Sequence, residues 1–440
     1  MTSTPQQKTN LDADASALEA CTPPGATAGT RSGTATRNWY LLGFGLYFSA
    51  MGIQSVLYPW ILTQVLNESA SRVGFAQMMS MVPMLTLVLF GGVVADRREL
   101  RGHLITLQCV IALVPLSLAL IIRVESLSFF VMIAMSLGAG ALGAFIIPAR
   151  EAMLVRVANG QIQQTVTATT GIQFGSQIFG ILLGGGASYL ALAMGRAPSD
   201  AMGGAPLLVM QAVLLVLAAL VATRLPRLPP ADGERRHAVA EIRDSIAEVF
   251  RIDAIRPIVI LMFFTGILYI GVFMVQLPII VRDVYHGDSA ALAILNTCFM
   301  LGTCLSAIVM TRYGHIRQQG RALILSTTAS GLIMALIMFQ PPLYGLYAIA
   351  GLWGISGGIS MVMGRTLVQA AAPADHRGRV LSIFQLGYMG GAPIGALLIG
   401  FAIDRIGPIN AILIPTIGMI VLILIARYMS GVWDLRYEEG

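Results

Sequence analysis

Apolar residues in this chain come in runs of about 20, the length of helix that crosses a bilayer, and polar residues are confined to the gaps between them. The runs fall at 39–65, 73–94, 103–122, 128–148, 164–190 and 205–223, then at 257–281, 289–311, 321–340, 343–364, 379–402 and 408–429. Each is long enough to pair its own backbone groups as one α-helix, which lipid demands of a single spanning segment. Twelve spans are expected, six on either side of the polar stretch 224–256. In that stretch Val239, Ile242, Ile246, Val249 and Phe250 recur at helical spacing, predicting an amphipathic helix on the membrane surface. The expected organisation is a disordered tail over 1–37, a six-helix bundle over 38–223, a linker over 224–256, a second six-helix bundle over 257–430 and a tail over 431–440. The fold class is an all-α membrane protein.

Composition agrees with this and narrows the function. Of the 440 residues, 56% are hydrophobic and 11% charged, where a soluble chain carries about 25% charged residues. The net charge of +6 does not indicate nucleic acid, because the basic residues form no patch on a polar surface. They sort by side instead. Arg72, Arg123, Arg196, Arg282 and Arg405 fall on one set of alternate loops, and the remaining 23 of the 28 Lys and Arg fall on the other. Basic residues are retained in the cytoplasm, so the arginine-rich side, with both termini, is expected there. The tail has no apolar segment of signal-peptide type. Cys21, Cys109, Cys298 and Cys304 have no metal or disulfide spacing, and the five histidines do not cluster. No nucleophile, base and oxyanion set or cofactor loop is present, so neither an enzyme nor a cofactor is expected.

The halves are related. A shift of 215 positions lays Arg97 on Arg312, Arg150 on Arg365, Gly175 on Gly390, Gly180 on Gly395 and Gly185 on Gly400 without gaps. Internal duplication of this kind is how many secondary transporters are built.

After the second run the chain reads Gly92-Val-Val-Ala-Asp96-Arg97-Arg98-Glu99-Leu100-Arg101. This resembles the GxxxDRxGR loop of the major facilitator superfamily, with Glu99 in place of the second glycine and the last arginine displaced to Arg101. Pro148-Ala149-Arg150-Glu151 and Gln369-Ala-Ala-Ala-Pro373-Ala-Asp-His-Arg377-Gly378-Arg379-Val380 resemble the branch of bacterial siderophore and macrolide exporters. The resemblance implies twelve helices in two pseudo-symmetric bundles, alternating access, a small-molecule substrate with protons as a coupling ion, and the bacterial inner membrane. It makes Gly92, Asp96, Arg97, Arg101, Arg150, Glu151, Arg312, Arg365, Arg377 and Arg379 the gate at the arginine-rich end. Glycine at 92 is expected to let helices approach closely, and the chain is expected to work as a monomer. Gly175, Gly180, Gly184 and Gly185, with Gly391, Pro393 and Gly395, resemble the superfamily's antiporter glycine motif or serve plain helix packing.

No run holds a charge at its centre, which weighs against a strongly charged substrate. Tyr47, Gln54 and Tyr58 share a face of the first run, and Tyr269 and Gln276 share one of the seventh with Thr265 and Phe273. With Gln173, Gln177, Asn296, Gln385 and Tyr388 they are the candidate substrate contacts, suited to mostly neutral organic molecules. Efflux is the first reading; an importer or facilitator, and a transport-silent receptor or assembly protein, are the alternatives.

Overall fold

The computed structural model describes residues 26–158, 161–227, 255–313, 318–372 and 377–429, with Ile252, Ile316 and Trp433. The apolar runs form helices α1 (Ala26–Trp60), α2 (Ala70–Arg97), α3 (Leu100–Arg123), α4 (Phe129–Val157), α5 (Ile162–Gly184), its short continuation α6 (Ala187–Ala193) and α7 (Ala205–Ala222). The second half repeats this with α8 (Arg256–Gly271), its continuation α9 (Leu277–Asp283), α10 (Ser289–Tyr313), α11 (Gln319–Ala335), α12 (Leu343–Ala371), α13 (Arg377–Ile406) and α14 (Leu413–Met429). Among the described residues eleven segments are long and apolar enough to cross a membrane. α2, 28 residues long, is a further helix that follows the first of them. The amphipathic stretch around 239–250 lies outside the described residues. α1 starts at Ala26, inside the segment expected to be disordered.

Several helices outrun their apolar segments. α4 passes through Pro148 to Val157, although proline has no N–H for the carbonyl of Ala144 one turn earlier. Gly91 of α2 packs on that freed carbonyl, where a Cβ would collide with it. The first and seventh spans both break into a π-helical turn, at Ile61–Val65 and Val272–Gln276. Pro278 leaves the carbonyl of Met274 without its helical donor, and the Gln77 amide of the other half donates to it at 3.2 Å.

Within the first half α2 packs on α4, α1 on α5 and α3 on α7; within the second, α10 packs on α12, α8 on α13 and α11 on α14. The second set is the first with every helix replaced by its counterpart six spans later. The same exchange relates the two main junctions between halves, α2 with α13 and α10 with α5. Glycines make these approaches possible, since transmembrane helices associate through close packing of small residues. A Cβ on Gly180 would strike the Ser49 carbonyl of α1, and one on Gly395 the Ile267 carbonyl of α8. Gly185 and Gly400 instead pack across the halves, on Ala293 of α10 and Ala70 of α2. Large apolar side chains such as Leu116, Leu120, Leu220, Leu336 and Leu424 are exposed along α3, α7, α14 and the end of the ninth span. They form the surface that lipid covers.

Candidate transport cavity and its closed end

A cavity of about 250 Å³ opens among α1, α2, α3, α4 and α7 and is capped from the other half by Phe273, Met274, Pro278 and Asn296. Its polar groups are amides and hydroxyls: Gln54, Ser55, Tyr58, Gln77, Ser80, Ser136, Gln211 and Asn296. Among the described residues no charged side chain lines it. The rest of the wall is methionine, proline and aliphatic carbon, including Met51, Met135, Pro59 and Pro115, with the ring of Phe273. Tyr58 donates a short hydrogen bond to Ser136, whose hydroxyl donates to the Met132 carbonyl at 2.7 Å. The Gln211 amide donates to Gln54 Oε1 at 3.3 Å, while Gln211 Oε1 is buried without a partner among the described residues.

Three of the ten candidate contacts, Gln54, Tyr58 and Asn296, line this cavity. Tyr47 lies against an arginine, described below. Tyr269 is buried in the second half, donating to the Thr327 carbonyl at 2.9 Å and packing edge-on against Trp353. Gln276 is fully buried and donates to the Pro408 carbonyl at 2.7 Å. Gln173, Gln177 and Tyr388 are half-buried and Gln385 exposed, all outside the cavity. Of the seventh-run stripe Phe273 reaches the cavity, whereas Tyr269, the 215-position counterpart of Gln54, is turned into its own bundle. Gln77 and Gln211 were not anticipated. Gln211 had a legible signal as the single hydrogen-bonding side chain in α7.

At the arginine-poor end the halves are tied together. The Asp404 carboxylate at the end of α13 accepts from the N–H of Ala70 at 2.9 Å and of Ser71 at 3.0 Å, capping the N-terminus of α2 from the opposite half. A carboxylate there meets unpaired N–H groups and the positive end of the helix dipole. Arg282 makes the converse contact. It donates to the carbonyl of Thr63 in the last turn of the first span at 3.1 Å and to that of Glu68 just after it at 2.8 Å, while pairing with Asp283 at 2.5 Å. Between α6 and α10 the buried Ser188 and Ser289 exchange backbone-to-hydroxyl bonds of 2.9 and 3.2 Å, and Ser289 also donates to Gly185 at 2.8 Å.

The arginine-rich end is organised differently. Arg150 is 6% exposed, with its guanidinium 4.2 Å from the ring centres of Phe44 and Tyr47 and 4.7 Å from that of Phe48. Tyr40 donates to the Arg150 carbonyl at 3.0 Å. Burying a cation costs several kcal/mol, and each desolvated ring face returns up to about 2 kcal/mol, so among the described residues these three rings supply the compensation for the guanidinium. Among the described residues a Cβ on Gly92 would meet nothing within 4 Å, and the neighbouring Gly91 makes the close contact instead. Glu99 caps α3, accepting from the N–H of Arg101 at 3.2 Å and of Gly102 at 2.7 Å, which accounts for an acid where the resembled loop has glycine. Arg101 donates to the Leu225 carbonyl of its own half at 3.2 Å. Arg97, Glu151, Arg312 and Arg365 are exposed. The side chains of Asp96, Arg377 and Arg379 lie outside the described residues.

Residues 44–434 match a protein family described as transmembrane secretion effector. The chain is 24% identical over 393 residues to the enterobactin exporter EntS of Citrobacter koseri, covering 87% of this chain and 88% of that one. It is 26% identical over 401 residues to the multidrug efflux pump Tap of Mycolicibacterium fortuitum, covering 87% and 93%. Among solved structures it is similar to the nucleoside transporter NupG, with TM-score 0.68 and 14% identity over 88% of this chain and 97% of that one. A bacterial homologue of the lysosomal transporter Spinster gives TM-score 0.66 and 12% identity, covering 93% and 99%.

Proposed function

We propose, for a chain that belongs to the transmembrane secretion effector family of the major facilitator superfamily, that it exports small uncharged or amphipathic organic molecules from a bacterial cytoplasm. The observation that carries this reading is the cavity itself: amide- and hydroxyl-lined, free of charge, and sealed toward one end by bonds between the halves. We place the arginine-rich end in the cytoplasm by the distribution of basic residues. The structure then corresponds to the state closed on the outside, with Asp404, Arg282 and the Ser188–Ser289 pair as the outer latch. The exporters at 24 and 26% identity favour outward transport. Twelve spans as two six-helix bundles, working as a monomer in the inner membrane, complete the proposal.

Protons are the proposed counter-ion, although no carboxylate lines the cavity. Coupling then falls to acids at the span ends, Asp96 and Glu151 on the inner side and Asp404 on the outer. The test is flux in proteoliposomes carrying an imposed pH gradient, with orientation fixed by labelling single cysteines at Arg227 and Asn410. Movement of uncharged aromatic compounds toward the side labelled through Asn410, accelerated when that side is acid, is the expected result. Absence of flux for every compound would overturn the transport reading, and flux indifferent to the gradient would remove protons from it.

A further inference from the structure

Resting on the transport reading, we propose that the cavity selects uncharged planar aromatic molecules that carry an O–H or N–H donor, and that Gln211 is the residue that demands the donor. Gln211 is 3% exposed in a helix with no other hydrogen-bonding side chain. Its amide nitrogen is committed to Gln54 at 3.3 Å. Gln211 lines the cavity, and its oxygen is buried with no partner among the described residues. An acceptor left unmet in an apolar helix is costly, and a ligand donor removes that cost on binding. A site built this way discriminates against the analogue that lacks the donor, because that analogue leaves the acceptor unpaired when bound.

The opposite wall supplies the preference for a ring. Phe273 faces the cavity and is held from behind by Phe299, with ring centres 4.7 Å apart, and by Trp353 at 6.1 Å. Phe299 and Trp353 pack on each other at 5.0 Å, and Tyr269 closes the cluster against Trp353 at 5.8 Å. Phe273 is therefore a fixed apolar face, suited to an offset or edge-on partner ring. One wall presents amides, the other aromatic carbon, and neither presents a charge. A flat molecule with a polar edge matches both, whereas an ion would leave water without a counter-charge.

The test uses the fluorescent pair 7-hydroxycoumarin and 7-methoxycoumarin, at a mildly acidic pH that keeps the phenol neutral. Each is titrated into full-length protein in lipid nanodiscs and followed by energy transfer from tryptophan, Trp353 lying one ring behind the cavity. The hydroxy compound is expected to bind about tenfold more tightly. Gln211→Met, which keeps the length and removes the acceptor, is expected to abolish that gap while the methoxy compound still binds. Phe273→Ala is expected to weaken both compounds together. Equal affinities in the unmodified protein, or a gap that survives Gln211→Met, would overturn the inference. If Gln211→Met does not fold, the pair of affinities in the unmodified protein decides alone. Failure of both coumarins while other compounds are transported refutes this selectivity without touching transport, whereas absence of flux for all compounds refutes the reading beneath it.

Discussion

Removing the carboxylate of Asp404 should open the outer end of the molecule. Two backbone N–H groups of α2, at 2.9 and 3.0 Å, lose their acceptor in Asp404→Ala. Hydrogen bonds to a charged acceptor are worth roughly 1.5–3 kcal/mol each when buried, but Asp404 is exposed at the rim, and solvent screening reduces the pair to about 1–2 kcal/mol in total. The freed N–H groups also find water once the halves part, so the loss falls on the closed state alone. A bias of that size shifts the closed-to-open ratio about 5- to 30-fold. Asp404→Asn, which keeps one oxygen and loses the charge, should give a smaller shift. Spin labels at the exposed positions Ser126 and Asn410, one on each half, report the separation in a background lacking the four native cysteines. Pulsed electron resonance should show a short distance in the parent and a growing long-distance population in the order Asn, then Ala. An unchanged distribution in Asp404→Ala would refute the assignment of this contact as a latch.

Four further outcomes follow from individual contacts. Arg150→Lys keeps the charge but not the planar stack on Phe44, Tyr47 and Phe48; a loss of about 1–2 kcal/mol should appear as a lower melting temperature in detergent, and an unchanged one would deny the cage a structural role. Gly180→Val and Gly395→Val should be equally damaging, each driving a side chain into a carbonyl of the paired helix at a cost of about 1–3 kcal/mol, whereas Gly92→Val, in open space, should leave the yield of folded protein unchanged. Glu99→Ala should destabilise the start of α3 by about 1 kcal/mol, measurable as faster amide exchange at Arg101 and Gly102. The Met202 N–H, with Arg196 beside it, holds the Asp200 carboxyl below the usual carboxylate range. Its contribution is present above the unfolded value and lost as pH falls through the folded one, so amide exchange around Met202 should quicken on acidification and lose that dependence in Asp200→Asn.

Much of the fold was legible because lipid leaves little choice. A run of apolar residues must be a helix, and the arginines at its ends sort by side. The duplication was legible through glycine, since Gly180 with Gly395 and Gly185 with Gly400 occupy backbone contacts that any Cβ would break. The cavity was only partly legible. Gln54 and Tyr58 were legible as part of a polar stripe and Asn296 as a separate polar residue in an apolar run, but the purpose of Gln77 depends on a carbonyl released by Pro278 in the other half, which no local pattern displays. Asp404 and Arg282 could be seen as rare charges at the arginine-poor end, yet their partners are backbone groups, and these carry no residue-type signature.

Symmetry itself misdirected part of the expectation. Arg150 and Arg365 are counterparts by sequence, but the positions matching Phe44, Tyr47 and Phe48 are Val259, Met262 and Phe263. One ring cannot replace three, so the second arginine has no cage to enter, and Arg365 is exposed where Arg150 is buried. The same divergence puts Gln54 in the cavity and its counterpart Tyr269 inside its own bundle. Backbone packing survives duplication because a glycine contact tolerates no substitute. Side chains that line the space between the bundles are under no such constraint, and a single crevice gains more from two unlike walls than from two copies of one. The amide wall of the first half and the aromatic wall of the second are what that divergence left, and ligand recognition belongs to the contrast between them.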